Sequence, residues 1–207
     1  MPDKPDKDVT PDPRARSVKR ITDPRTMRAL AHPLRLTLLT LLRTEGPLTA
    51  TKAAERIGES SASCSFHLRQ LSKYGLVEEA SGGHGRERPW QATTMLTDIP
   101  EVADSPEFAA AADLFRSILL DRHFENATRW LDAKANEPAE WQEASQFNDR
   151  MLYLTAAELL EVAEHIKAML NAYSDRNVNP ALRPTDSRLV SYIYLGFPML
   201  DGQEVSR

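Results

Sequence analysis

The stretch Ser60 to Trp90, SSASCSFHLRQLSKYGLVEEASGGHGRERPW, decides the fold of the N-terminal half. Apolar residues at three- and four-residue spacing predict a helix from Ser60 through Tyr74, ended by Gly75. A short strand follows, then a glycine-rich turn carrying Arg86 and Arg88, then a second strand. Gly82, Gly83 and Gly85 permit a tight turn around His84. Directly upstream, Thr49 to Gly58 predicts a shorter helix. Thr49 suits its N-cap, and Gly58 can take positive φ where the chain turns. The order is helix, turn, helix, β-wing.

The register of the second helix separates two faces. At roughly 100° per residue, Cys64, His67, Leu68 and Leu71 fall together and predict a buried face. Ala62, Phe66, Arg69 and Lys73 lie opposite, flanked by Ser65 and Gln70. Arginine can pair bidentately with guanine, glutamine with adenine, and an apolar group can touch a thymine methyl. The outer face therefore suits a DNA major groove. An ordinary solvated helix face would carry the same two cations, and the preceding helix and the wing favour the DNA reading. Phe66 needs a partner, either DNA or the wing. Arg86, at the tip of the expected 81–88 wing, could enter a minor groove or meet a phosphate.

Upstream, His32-Pro33-Leu34-Arg35 opens a leucine-rich helix with Pro33 at its first position, and Gly46-Pro47 stops it. A shorter helix, 24–31, precedes it. Three separated motifs, Ala29-Leu30-Ala31-His32-Pro33-Leu34-Arg35, Ser65-Phe66-His67-Leu68-Arg69-Gln70-Leu71 and Tyr74-Gly75-Leu76-Val77, resemble the arsenic-repressor (ArsR) type of winged helix-turn-helix regulator over roughly residues 24–93. The resemblance implies a homodimeric, double-stranded-DNA-binding transcriptional regulator, expected to act as a repressor. Its recognition positions fall on Ser61, Ala62, Ser63, Ser65, Phe66 and Arg69, and its usual histidine on His67, a core-face position. With Thr49, Gln70, Lys73, Arg86 and Arg88, these form the candidate DNA-binding set.

The sequence departs from metal-sensing members of that type. The 50–57 helix has no Cys, Asp or His, and the chain's one cysteine, Cys64, cannot make a thiolate cluster. Asp121, His123 and Glu125 do not share a helical face, since neighbours lie at i+3 and i+4. Neither a metal nor another cofactor is expected.

The chain has 207 residues, 41% of them hydrophobic, enough for one or two domains with real cores. Its uninterrupted apolar runs are too short to span a membrane, the N-terminus lacks the apolar core of a signal peptide, and one cysteine fits the cytoplasm. Net charge is −4, but residues 1–93 hold 16 Lys+Arg against 11 Asp+Glu, and residues 94–207 hold 10 against 19. The basic half is the half with the motif, and phosphate attraction is a local field effect.

The expected fold is mainly α with α+β. Residues 1–20 read as a disordered tail, in which Arg14, Arg16, Lys19 and Arg20 are solvated or brush phosphates. Residues 21–95 form the winged helix-turn-helix domain, 96–106 a Pro- and acid-bearing linker, and 107–207 a dimerisation or effector domain. In that last part, an amphipathic helix over 107–134 carries Phe108, Phe115, Trp130 and Leu131 on its stripe. Residues 151–154 and 187–197 predict strands, and Thr155-Ala-Ala-Glu158 a capping box opening a helix to about Tyr173. Aromatic residues there, Trp141 and Tyr192 among them, are core or line an effector pocket. GxSxG, P-loop, HExxH and CxxC motifs are missing from this part, so no enzyme is expected. Glu161, Glu164 and His165 lie close together but read as a charged helix surface. The alternative function is a winged-helix protein-interaction module without DNA binding.

Overall fold

The computed structural model describes residues 18–81 and 88–200, apart from the side chain of Val178. They form β1 (Val18–Arg20), α1 (Pro24–Leu30), α2 (Pro33–Glu45), α3 (Ala50–Ile57), α4 (Ser61–Lys73), β2 (Val77–Glu79), β3 (Trp90–Ala92), β4 (Leu96–Asp98), α5 (Pro106–Ala133), α6 (Ala139–Ala144), α7 (Ala156–Asn171) and α8 (Asp175–Val178). Among the described residues, no helix is long and apolar enough to cross a membrane. The chain divides into two units. The first holds residues up to Arg122 and returns for Tyr173–Thr185; the second holds His123–Ala172 and the chain from Asp186.

The helix ends of the first unit follow from capping chemistry. Asp23 accepts from the Thr26 amide at 2.9 Å and opens α1. Pro33 stands at the start of α2, where its missing N–H costs nothing. Thr49 accepts from the Lys52 amide at 3.2 Å and Ser60 from the Ser63 amide at 3.1 Å. Between those two helices Gly58 sits at φ 74, left-handed backbone that a Cβ would strain.

The buried faces of α1 to α4 meet in one core. Met27, Leu38, Ala53, Cys64, Leu68 and Leu71 are all fully buried there. β2 and β3 pair antiparallel with Val77 opposite Ala92 and Glu79 opposite Trp90. Leu48 extends this sheet by a bridge to Trp90, with bonds of 3.0 and 2.8 Å.

Three features depart from the sequence expectations. Val18–Arg20, read as the end of a tail, and Leu96–Asp98, read as linker, pair with each other in parallel. Their partners are too far apart in sequence to leave a local signature. The core of the first unit also runs past residue 95, because Phe108, Ala111, Ala112 and Phe115 of α5 are buried in it. Finally, 151–154 and 187–197 form neither strand nor helix. A strand needs a neighbour's backbone, and these segments have none in the described chain.

In the second unit, α7 opens with the expected capping box: Thr155 accepts from the Glu158 amide at 3.3 Å, and the Glu158 carboxylate accepts from the Thr155 amide at 2.7 Å. Among the described residues, none of the buried apolar side chains comes from this unit.

Leu71 closes the core between α4 and its neighbours with no exposed surface. Leu71→Ala should cost about 2–5 kcal/mol of unfolding free energy, measured by denaturant titration.

Candidate nucleic-acid interface

The site is the outer face of α4 and the N-terminal ends of α3 and α4. Cys64, Leu68 and Leu71 are buried, and Ala62, Phe66, Arg69 and Lys73 are exposed on the other side. The inner residues fix the roll of the helix, so the outer ones can face only away from the core. Ser61 is also exposed, and Ser63, Ser65 and Gln70 are half-buried on the flanks.

Neighbours constrain several of these side chains. The Arg69 guanidinium donates to Ser65 Oγ at 2.9 Å, one turn back. That leaves most of its donor fork open. The Lys73 ammonium lies 5.8 Å from the Tyr74 ring centroid. Phe66 is half exposed, and its ring meets the His67 ring edge-on at 5.1 Å. Thr49 uses its hydroxyl oxygen as an acceptor in the α3 cap and keeps its proton for an outside acceptor.

In the wing, Arg88 is held at 2.8 Å from Glu79 across the hairpin. Its charge is thus partly answered within the protein, which weakens it as a phosphate ligand. Arg86 lies outside the described residues, as does the rest of 82–87.

Two residues outside the sequence-derived set lie beside the candidate site. Thr51 Oγ1 lies 3.2 Å from Ser61 Oγ, so the first turns of α3 and α4 meet. Lys52, next to Thr51, is exposed. The signal was available: both follow the Thr49 cap, and amides and cations at a helix N-terminus suit an anion. Lys19 does something else. Its ammonium donates to the Tyr74 carbonyl at 3.1 Å and the Gly75 carbonyl at 2.7 Å. A cation there satisfies the end of α4. Arg20 pairs with Asp98 at 3.4 Å. Neither residue behaves as part of a solvated tail.

Beneath the site, the His32 and His67 rings stack at 4.5 Å, tilted by 40°. The Nδ1 atoms of both rings and Nε of Arg35 are buried without a hydrogen-bond partner. Burial lowers the pKa of both imidazoles, and the Arg35 charge lowers them further; His32 also depresses His67. Burial pushes the Cys64 thiol up, which suits a core residue rather than a thiolate. Among the described residues, no three His, Cys, Asp or Glu side chains come together as a metal-holding group.

Comparison with known proteins bears on this same region. Residues 30–80 match the family described as a helix-turn-helix domain. A 52-residue stretch is 50% identical to the HTH-type transcriptional regulator NmtR of Mycobacterium tuberculosis (strain ATCC 25618 / H37Rv). The match takes in 25% of this chain, and the chain spans 42% of that relative's length. It therefore speaks for the helix-turn-helix and not for the second unit.

The stacked histidines set a pH dependence. Their folded pKa values lie below the unfolded value of about 6.5, so the unfolded chain takes up protons first as pH falls. Stability should be full above that value, decline as pH drops through it, and level off below the folded pKa values. Thermal unfolding between pH 8 and 5 checks this, and His67→Gln should flatten the slope.

Proposed function

We propose that the chain, whose residues 30–80 match a helix-turn-helix domain family, is a sequence-specific DNA-binding transcriptional regulator of the arsenic-repressor (ArsR) type. The observation that carries the proposal is the division of α4: one face wholly buried, the other presenting Arg69, Lys73, Ala62 and Phe66 to solvent. In this reading Arg69 and Gln70 meet base edges, and Ala62 and Phe66 meet thymine methyls. Ser61, Ser63, Ser65, Thr49 and Lys73 contact the backbone, joined by Thr51 and Lys52. Arg86 belongs to the same set from the sequence alone, and Arg88 contributes only when it leaves Glu79.

The regulator acts as a homodimer and a repressor. One α4 offers a short reading face, and the N-terminal half carries only a modest positive charge. Two copies related by a two-fold would place two such faces about one helical turn apart, roughly 10 bp. Repression follows if the operator overlaps a promoter. A small-molecule effector would belong to the C-terminal half, with the cytoplasm as its compartment.

Binding sites recovered by genome-wide DNA pull-down supply the operator for quantitative tests. Arg69→Ala should cost about 1–3 kcal/mol on that operator and relax preference at one position. Lys73→Ala and Lys52→Ala should weaken all duplexes alike and lower the salt dependence. Equal affinity of the wild type for operator and random duplex would favour the protein-interaction alternative.

The donor set predicts indifference to metals, because the single thiol is buried in the face of α4 that packs on the core. Operator affinity measured with chelator, then with zinc, nickel or arsenite, should stay within tenfold, about 1.4 kcal/mol. A larger shift would reveal a metal site.

A further inference from the structure

Among the described residues, the second unit has no fully buried apolar side chain, and many of its large apolar residues are exposed. Nine of the twelve residues from Leu189 to Leu200 are large, apolar and exposed; the other three are Ser191, Gly196 and Pro198. Met151, Leu152, Tyr153 and Leu154 are exposed as well. Neither segment belongs to a helix or strand, and among the described residues no backbone–backbone hydrogen bond involves 146–154 or 188–200. Aromatic and β-branched residues dominate Val190 to Phe197, a composition suited to a strand.

The longer segment is positioned rather than loose. At its start Arg188 pairs with Glu137 at 2.7 Å, and its guanidinium stacks 4.9 Å from the Trp141 ring centroid. Near its end it passes so close to α7 that a Cβ on Gly196 would stand 3.0 Å from Leu159 Cδ1. The segment is thus held along its own unit with its backbone open.

We propose that 188–197 pairs as a β-strand with the same segment of a second copy of this chain, across a two-fold axis. This rests on the homodimer reading above and assigns it a surface. Three considerations select a second copy over another protein. First, Leu189 to Leu200 carries no charged residue, the composition of an obligate homodimer rather than a transient contact. Second, the seven exposed apolar residues of 188–197, at about 100 Å² apiece, present about 700 Å² per copy, close to the roughly 800 Å² per partner of a stable interface. Third, an antiparallel pair of identical strands is isologous: the same edge of each meets across the two-fold, so that contact is complete with two copies.

The test uses the full-length protein. Sedimentation velocity at micromolar concentration should show a dimer. Tyr192→Asp and Ile193→Pro, both at exposed positions, should each weaken it at least tenfold. Hydrogen exchange of the wild-type dimer should show alternate amides of 188–197, those facing the partner strand, protected, a reading that needs no variant. A monomeric wild type, a dimer indifferent to both substitutions, or rapid exchange through 188–197 in the dimer would overturn the pairing. Binding to a single half-site duplex keeps this apart from the DNA reading. A protected dimer that binds no duplex would sink the regulator reading alone. Dissociated variants that still hold a half-site weakly would leave both standing.

Discussion

The contact on which the candidate DNA-binding surface depends is the packing of Cys64, Leu68 and Leu71 against α2 and α3. These three side chains have no exposed surface. Burying a large aliphatic side chain is worth roughly 1.5–3 kcal/mol, far more than any hydrogen bond on the outer face. The core therefore sets the roll of α4, and the polar residues take whatever direction is left. Arg69 needs no special contact to aim it outward. Its bond to Ser65 only trims the rotamers it samples.

Both ends of α4 are fixed by groups that are distant or easily overlooked. At the N-terminus, Ser60 caps the helix and Ser61 meets Thr51 of α3, which sets the spacing of two helix starts. At the C-terminus, Gly75 turns the chain at φ 63, and Lys19 of β1 covers the last carbonyls. β1 is held there by its parallel pairing with β4, which immediately precedes the approach to α5. The first half of α5 then returns Phe108 and Phe115 to the core beside the helix-turn-helix. Shortening the chain to residue 95 would remove these side chains, so the reading head is larger than its motif.

The legible parts of the sequence were those governed by local rules. The spacing of Cys64, Leu68 and Leu71 placed the buried face of α4, and Thr49, Ser60 and Thr155 marked the caps that form. Long-range partners were not legible. Lys19 in a Pro-, Asp- and Arg-rich stretch gives no sign of binding a carbonyl more than 50 residues away. The β1–β4 pair is short on both sides, and its pattern exists only once the strands meet. His67 was placed on the core face, but its stacking on His32 depends on two helices crossing. The strand character of Val190 to Phe197 was visible, and yet no strand forms, because periodicity specifies what a segment can pair with and not whether a partner is present.

The two halves obey opposite electrostatic logic. Residues 1–93 carry a surplus of 5 positive charges (16 Lys+Arg, 11 Asp+Glu), and the rest of the chain a deficit of 9 (10 against 19). At physiological salt, surface charges farther apart than about 8 Å are largely screened from one another. A phosphate at the outer face of α4 therefore responds mainly to the cations of that face, Arg69 and Lys73. The same screening matters for the second unit, since its acids repel a second copy while Leu189 to Leu200 remains uncharged. Salt should then act in opposite directions on the two associations. It releases DNA by competing for phosphates, and it eases the approach of two acidic surfaces whose attraction is apolar. A chain built this way can stay paired under ionic conditions in which it leaves DNA, which separates assembly from occupancy without any ligand.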